Sequence, residues 1–193
     1  MDLQNLPELI SPYESFFTLP PKTLFHNLIS LIISQKIRFG QGRKIRQQLY
    51  SLLNTDEYTP NGLNSLSDDT LKSIGLSDDK INCIRAILGL EDLTLDRAAQ
   101  IKGIGPWTIK ALSILTNGSN DIFLSEDYWI RQRFSELIQS SKILTSRQLE
   151  NYIAKFPNWV GQKTLISRFL WRIKPEGIMA LLNSESLTRE HFL

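Results

Sequence analysis

Apolar residues recur at helical spacing along nearly the whole chain. Leu24, Phe25, Leu28, Leu31 and Ile32 follow i, i+1, i+4, i+7 and i+8, and Ile81, Ile84 and Leu88 share one stripe behind Ser77, an N-cap candidate, with Asp78 and Asp79 in the first turn. Thr145 and Gln148 make a capping-box signature ahead of another apolar stripe. No segment alternates convincingly at the period of a strand. The spacing predicts helices over 3–10, 22–35, 39–54, 61–66, 68–74, 78–89, 95–101, 106–117, 127–140, 145–156 and 159–173, and a last one after Pro175. The expected fold class is all-α. The polar stretch "TNGSND", 116–121, reads as a loop between helical groups.

One interruption stands out. In "IKGIGPWTIK", residues 101–110, a helix stops at Gly103-Ile104-Gly105 and another starts on Pro106, where a missing N–H costs nothing. Two glycines around a tight hairpin allow positive φ and bring bare backbone to the surface. The N–H groups of Gly103, Ile104 and Gly105 and of the new helix start could then receive one phosphate. The alternative is an ordinary αα-corner in which Ile104 plugs a core.

Composition narrows the classes. The chain has 193 residues, 41% hydrophobic and 22% charged, enough for one domain or two small lobes sharing a cleft. No run of eighteen apolar residues occurs, and "MDLQNLPELI" is not a leader, so a soluble, intracellular protein without membrane contact is expected. A single cysteine, Cys83, and two histidines, His26 and His191, leave little for a disulfide, a zinc site or an iron–sulfur cluster. No metal is expected. The net charge of +2 is unevenly spread: Lys36, Arg38, Arg43, Lys44 and Arg46 fall within 36–46, and Lys155, Lys163, Arg168, Arg172 and Lys174 within 155–175. Residues 56–96 hold nine carboxylates against three basic groups. A polyanion could use that polarity, although charge runs are commonly solvated helix faces.

"IKGIGPWTIKALSIL" followed by "DIFLSEDYWIRQRF" resembles the helix-hairpin-helix DNA glycosylase superfamily, and within it the 3-methyladenine DNA glycosylase II branch. Three further stretches are similar to that branch: "LISLIISQKI", an apolar helix ending in glutamine; "LKSIGLSDDKINCIRAI"; and "WVGQKTLISRFLW", with tryptophans twelve apart. The likeness runs over about residues 22–174 in order. It implies two helical lobes, 22–118 with the hairpin and 1–21 plus 119–193, with a cleft between them.

The resemblance also implies roles. Asp127 stands at the position of the essential aspartate, with Glu126 second. A carboxylate in a helix's first turn is favoured as the anion by the dipole, with Ser125 available as cap. A plain N-cap or first-turn residue with an i+4 partner in Arg131 is the alternative for Asp127. Strand-cutting relatives carry a nucleophilic lysine two residues after the second glycine, where this chain has Trp107, which implies hydrolysis without strand cleavage. Trp107, Tyr128 and Trp171 would receive the extruded base, whereas Trp159 reads as core, and Ala111 replaces a pocket tyrosine. Gln35 and Lys36 align with the wedge that fills the vacated stack; Arg38, and Lys163 in place of an arginine, would contact the DNA backbone. The expected partner is double-stranded DNA with damaged bases, bound by a monomer, with no cofactor beyond a monovalent cation that the hairpin could hold. The competing class is a non-catalytic helix-hairpin-helix binder of damaged or bent DNA.

Overall fold

The computed structural model describes every residue except Met1, Leu19, Arg38 and Asn117, and Phe39 by its backbone alone. Thirteen α-helices follow in order among the described residues: α1 (Leu6–Ile10), α2 (Glu14–Phe17), α3 (Leu24–Ser34), α4 (Phe39–Leu53), α5 (Pro60–Asn64), α6 (Asp68–Ser73), α7 (Asp78–Leu88), α8 (Leu95–Ala99), α9 (Pro106–Leu115), α10 (Tyr128–Leu137), α11 (Ser146–Ile153), α12 (Lys163–Arg172) and α13 (Pro175–Leu182). No strand forms among them; Ile173 and Phe192 make one isolated antiparallel bridge. The fold is all-α.

Local chemistry sets the ends. Thr145 accepts from the N–H of Gln148 while Gln148 accepts from the N–H of Thr145, so the capping box forms. Ser77 takes the N-cap of α7 without a side-chain hydrogen bond. The helix expected over 159–173 begins only at Lys163. Pro157–Trp159 is a 3-10 turn, and Gly161 takes φ +78°, which interrupts any helix. The expected helix 3–10 is likewise broken into a 3-10 turn, Leu3–Asn5, and α1, with Pro7 in its first turn; a second 3-10 turn, Ser11–Tyr13, then leads into α2.

The chain divides into two compact units, Pro21–Thr116 and Met1–Pro20 with Asn117–Leu193. In Pro21–Thr116, α3 is the central element. Leu28, Ile29, Ile32 and Ile33 are fully buried, and the helix packs against α4, α7 and α9. A helix covered on several sides needs an apolar surface nearly all round, which is what "LISLII" provides. At its start His26 stacks on Tyr58, ring centroids 4.8 Å apart, and its Nδ1 accepts from the Tyr58 N–H at 3.1 Å. Burial, helped by the Lys22 charge, holds the imidazole pKa below its ordinary value.

In the other unit α10 packs against α12 and α13, and α12 against α1 and α2. The first residues are bound in by aromatic contacts. Trp159 is fully buried, stacks on Phe156 at 4.9 Å, and donates its indole N–H to the Leu3 carbonyl at 2.9 Å. Phe17 meets Phe169 edge-on at 5.6 Å and Phe192 at 5.7 Å. Phe192 is kept in place by Lys174 N–H to His191 O and Leu193 N–H to Arg172 O, both 2.8 Å. Gly177 admits this tail: a Cβ there would lie 2.8 Å from Ile173 and 2.9 Å from His191.

Candidate active site

The hairpin belongs to the unit Pro21–Thr116. Gly103 has φ +100°, the left-handed region, and a Cβ there would sit 3.5 Å from Cys83 Sγ. Gly105, the N-cap of α9, differs from the sequence expectation: its φ is −96° and its ψ 177°, extended backbone open to any residue. A Cβ at Gly105 would meet nothing within 4 Å. The fold therefore requires glycine at 103 and leaves room at 105 for something outside the chain. Ile104 also departs from expectation, because its N–H donates inward to the Ile101 carbonyl at 3.0 Å and its side chain is buried. The corner reading thus holds for the Ile104 side chain. Gly105 as the cap of α9 brings no side-chain oxygen to the helix's first turn.

Gln35 caps the C-terminus of α3. Its side-chain Nε2 donates to the Gly103 carbonyl and to Thr108 Oγ1, both at 3.1 Å, so the amide grips the hairpin rather than extending as a free wedge. Lys36 follows with φ +53°, an exposed non-glycine residue in the left-handed region. Trp107 is half-buried, and Ala111 is fully buried, so the missing tyrosine opens no surface there. Arg38 lies outside the described residues.

The carboxylate belongs to the other unit. Asp127 is itself the N-cap of α10: its Oδ1 accepts from the N–H of Trp129 at 2.8 Å and of Ile130 at 3.0 Å. Ser125, expected as the cap, donates instead to Glu150 Oε1 at 2.7 Å and accepts from Ser146 Oγ at 3.2 Å. Asp127 is buried at 7% exposure while Glu126 is exposed, which separates the two candidate acids. Arg131 sends its guanidinium to the Leu144 carbonyl at 3.1 Å and lies 6.0 Å from the Tyr128 ring. Tyr128 and Trp129, exposed at 52% and 45%, meet edge-on at 5.7 Å.

Two residues that sequence reasoning passed over hold the approach to Asp127. Thr164, buried on α12, accepts from the Ile122 N–H at 3.1 Å and donates to the Ser119 carbonyl at 2.7 Å. Ser167, fully buried one turn on, donates to the Ile122 carbonyl at 3.1 Å and accepts from Leu124 N–H at 3.4 Å. The signal was two hydroxyls three apart inside an apolar stripe. Trp171 lies half-buried on the same helix. Lys163 does not present a free charge: its ammonium is 2.8 Å from the Asp121 carboxylate, and that contact pulls the Asp121 pKa down. Asp121 also accepts from Gly161 N–H at 2.7 Å, so the pair fixes the loop before α12. Among the described residues no group of three His, Cys, Asp or Glu side chains could hold a metal ion. None of the described helices is long and apolar enough to cross a membrane.

No family model matches the sequence. The chain is 24% identical over 188 residues to DNA-3-methyladenine glycosylase 1 of Schizosaccharomyces pombe, a match covering 88% of this chain and 80% of that protein. Among solved structures it is similar to the S. pombe 3-methyladenine DNA glycosylase in complex with abasic DNA, with TM-score 0.67 and 23% identity over 80% of this chain and 84% of that one. It is also similar to a DNA-3-methyladenine glycosidase from Bacillus halodurans, with TM-score 0.60 and 20% identity over 98% and 95% of the two chains. The chain has the fold of the helix-hairpin-helix DNA glycosylases.

Proposed function

We propose that this chain is a base-excision-repair DNA glycosylase of the helix-hairpin-helix superfamily, acting on alkylated purines such as 3-methyladenine. It would take the damaged base out of the duplex and hydrolyse its N-glycosidic bond, leaving an abasic site. Asp127 carries this proposal: the aspartate that the motif singles out is a buried carboxylate anchored on two backbone N–H groups at the start of α10. The relatives named for 3-methyladenine support the substrate class.

Breaking the N-glycosidic bond builds positive charge on the sugar as the base departs. A carboxylate about 4 Å away, at an effective dielectric of about 20, lowers the energy of that charge by ~4 kcal/mol, roughly a thousandfold in rate. The same group can orient or deprotonate the attacking water. Trp107, in the place of the lyase lysine, leaves hydrolysis as the only step, without strand cleavage. Trp107 in one unit and Tyr128 and Trp171 in the other each offer an aromatic face, and a cationic alkylpurine stacked on such a face gains about 0.5 to 2 kcal/mol that a neutral base does not. The hairpin at Gly103–Gly105 holds a DNA phosphate, with Gly105 giving the close approach. The enzyme would act inside the cell as a monomer, with no cofactor beyond a monovalent cation that the hairpin could hold.

The test is Asp127→Asn, assayed on duplexes bearing a panel of lesions. Asparagine also caps helices, so the fold survives the change. Excision of alkylated purines should fall by about three orders of magnitude while duplex affinity persists, and borohydride should trap no covalent protein–DNA adduct. Wild-type protein that binds damaged duplexes and excises nothing would instead be a non-catalytic binder.

A further inference from the structure

We infer that Gln35 is a positioning residue that sets the shape of the phosphate-binding hairpin, acting through Gly103 and Thr108. The inference rests on the DNA-binding reading above and adds to it how the hairpin is held. Both hydrogens of the Gln35 amide nitrogen are engaged, one on the Gly103 carbonyl and one on Thr108 Oγ1, each at 3.1 Å. These acceptors stand on either side of Gly105, so one side chain closes the turn like a staple. Thr108 is 2% exposed and cannot reach a ligand, which gives its hydroxyl an internal role.

The base of the staple is itself fixed. Lys80 of α7 donates to the Ile33 carbonyl at 2.7 Å, and Arg46 of α4 donates to Ser34 Oγ at 2.7 Å, which donates on to Ser30 O at 2.8 Å. The C-terminal turn of α3 is thereby tied to α7 and α4 before Gln35 reaches the hairpin. A glycine hairpin without such a brace would sample several conformations and lose affinity on ordering. The brace preorganises the N–H groups that meet the phosphate, and it leaves exposed Lys36 as the residue of this turn that faces solvent.

The experiment is a double-mutant cycle on Gln35→Ala and Thr108→Val, read as duplex affinity at several salt concentrations and as single-turnover excision of alkylated DNA. Each change should weaken binding about five- to tenfold, the worth of one or two neutral hydrogen bonds. Each should also make the salt dependence shallower by about the share of one phosphate. The double variant should bind no more weakly than Gln35→Ala, and Thr108→Ser should restore wild-type affinity. The inference is overturned if Thr108→Val binds like wild type, if the two losses add in full, or if Thr108→Ser behaves like Thr108→Val, which would make the effect one of packing. Gln35→Ala that keeps affinity and slope but loses excision rate would also overturn it, placing the side chain on the extruded nucleotide. Wild-type protein that binds duplex without excising would sink the enzymatic reading alone, since the affinities still decide the staple.

Discussion

Gly103 and Gly105 look equivalent in the sequence and are not equivalent in the molecule. Gly103 needs its left-handed φ of +100°, whereas Gly105 is extended with open space where a side chain would begin. Gly103→Ala should cost about 1 kcal/mol or more of unfolding free energy, and Gly105→Ala should change stability by less than about 0.5 kcal/mol, as measured by urea denaturation. Duplex affinity should fall in both. A stability loss at 105, or none at 103, would contradict the assignment. The pair of glycines was legible from the chain; which one bends it was not, because φ depends on how the turn closes. The same holds at Asp127. Sequence placed it at the start of a helix and left the cap open between Ser125 and Asp127 itself; Ser125 bonds Glu150, twenty-five residues on, and Asp127 takes the two N–H groups. A hydroxyl's choice between a local and a distant partner is decided by tertiary contacts.

Helices with a long apolar stripe were legible because the stripe is their reason to form, as α3 and α7 show. The start of α12 was not. Trp159 fits the apolar rhythm, yet it faces Phe156 and Leu3 in a separate 3-10 turn, and Gly161 with Asp121 restarts the helix at Lys163. Once begun there, α12 turns Thr164 and Ser167 toward the extended stretch that leads to Asp127. Ser167→Ala would leave the buried Leu124 N–H and one Ile122 lone pair without their partner. The expected cost is about 1 to 3 kcal/mol in stability, together with slower single-turnover excision, because the residues ahead of the carboxylate lose an anchor. Calorimetry and the lesion assay separate these effects. Unchanged stability would show that the Ser167 contacts carry no weight.

At the scale of the whole molecule, each unit has its own core, and one of them contains a buried group sensitive to acid. In Pro21–Thr116, His26 is buried against Tyr58 and accepts a backbone N–H on Nδ1, which requires the neutral ring. Its folded pKa is therefore lowered from the ordinary value of about 6.5. The unfolded chain binds the extra proton first, so the His26 contribution to stability is constant above about pH 6.5 and is lost progressively below it, down to the folded pKa. Denaturation curves for the wild type and His26→Phe should show that decline in the first and its loss in the second. An unchanged slope in the variant would assign the effect to other groups. The unit that carries Asp127 has a different character, because it is assembled from the two extremes of the sequence. Residues 21–116 emerge from the ribosome as one uninterrupted stretch and can fold during synthesis, whereas Phe17 must wait for Phe169 and Phe192, more than 150 positions later. The nascent protein would therefore complete the core around the glycine hairpin well before the core around Asp127 can close, and a ribosome stalled late in the message would release a chain with one finished unit and one lacking its last helices.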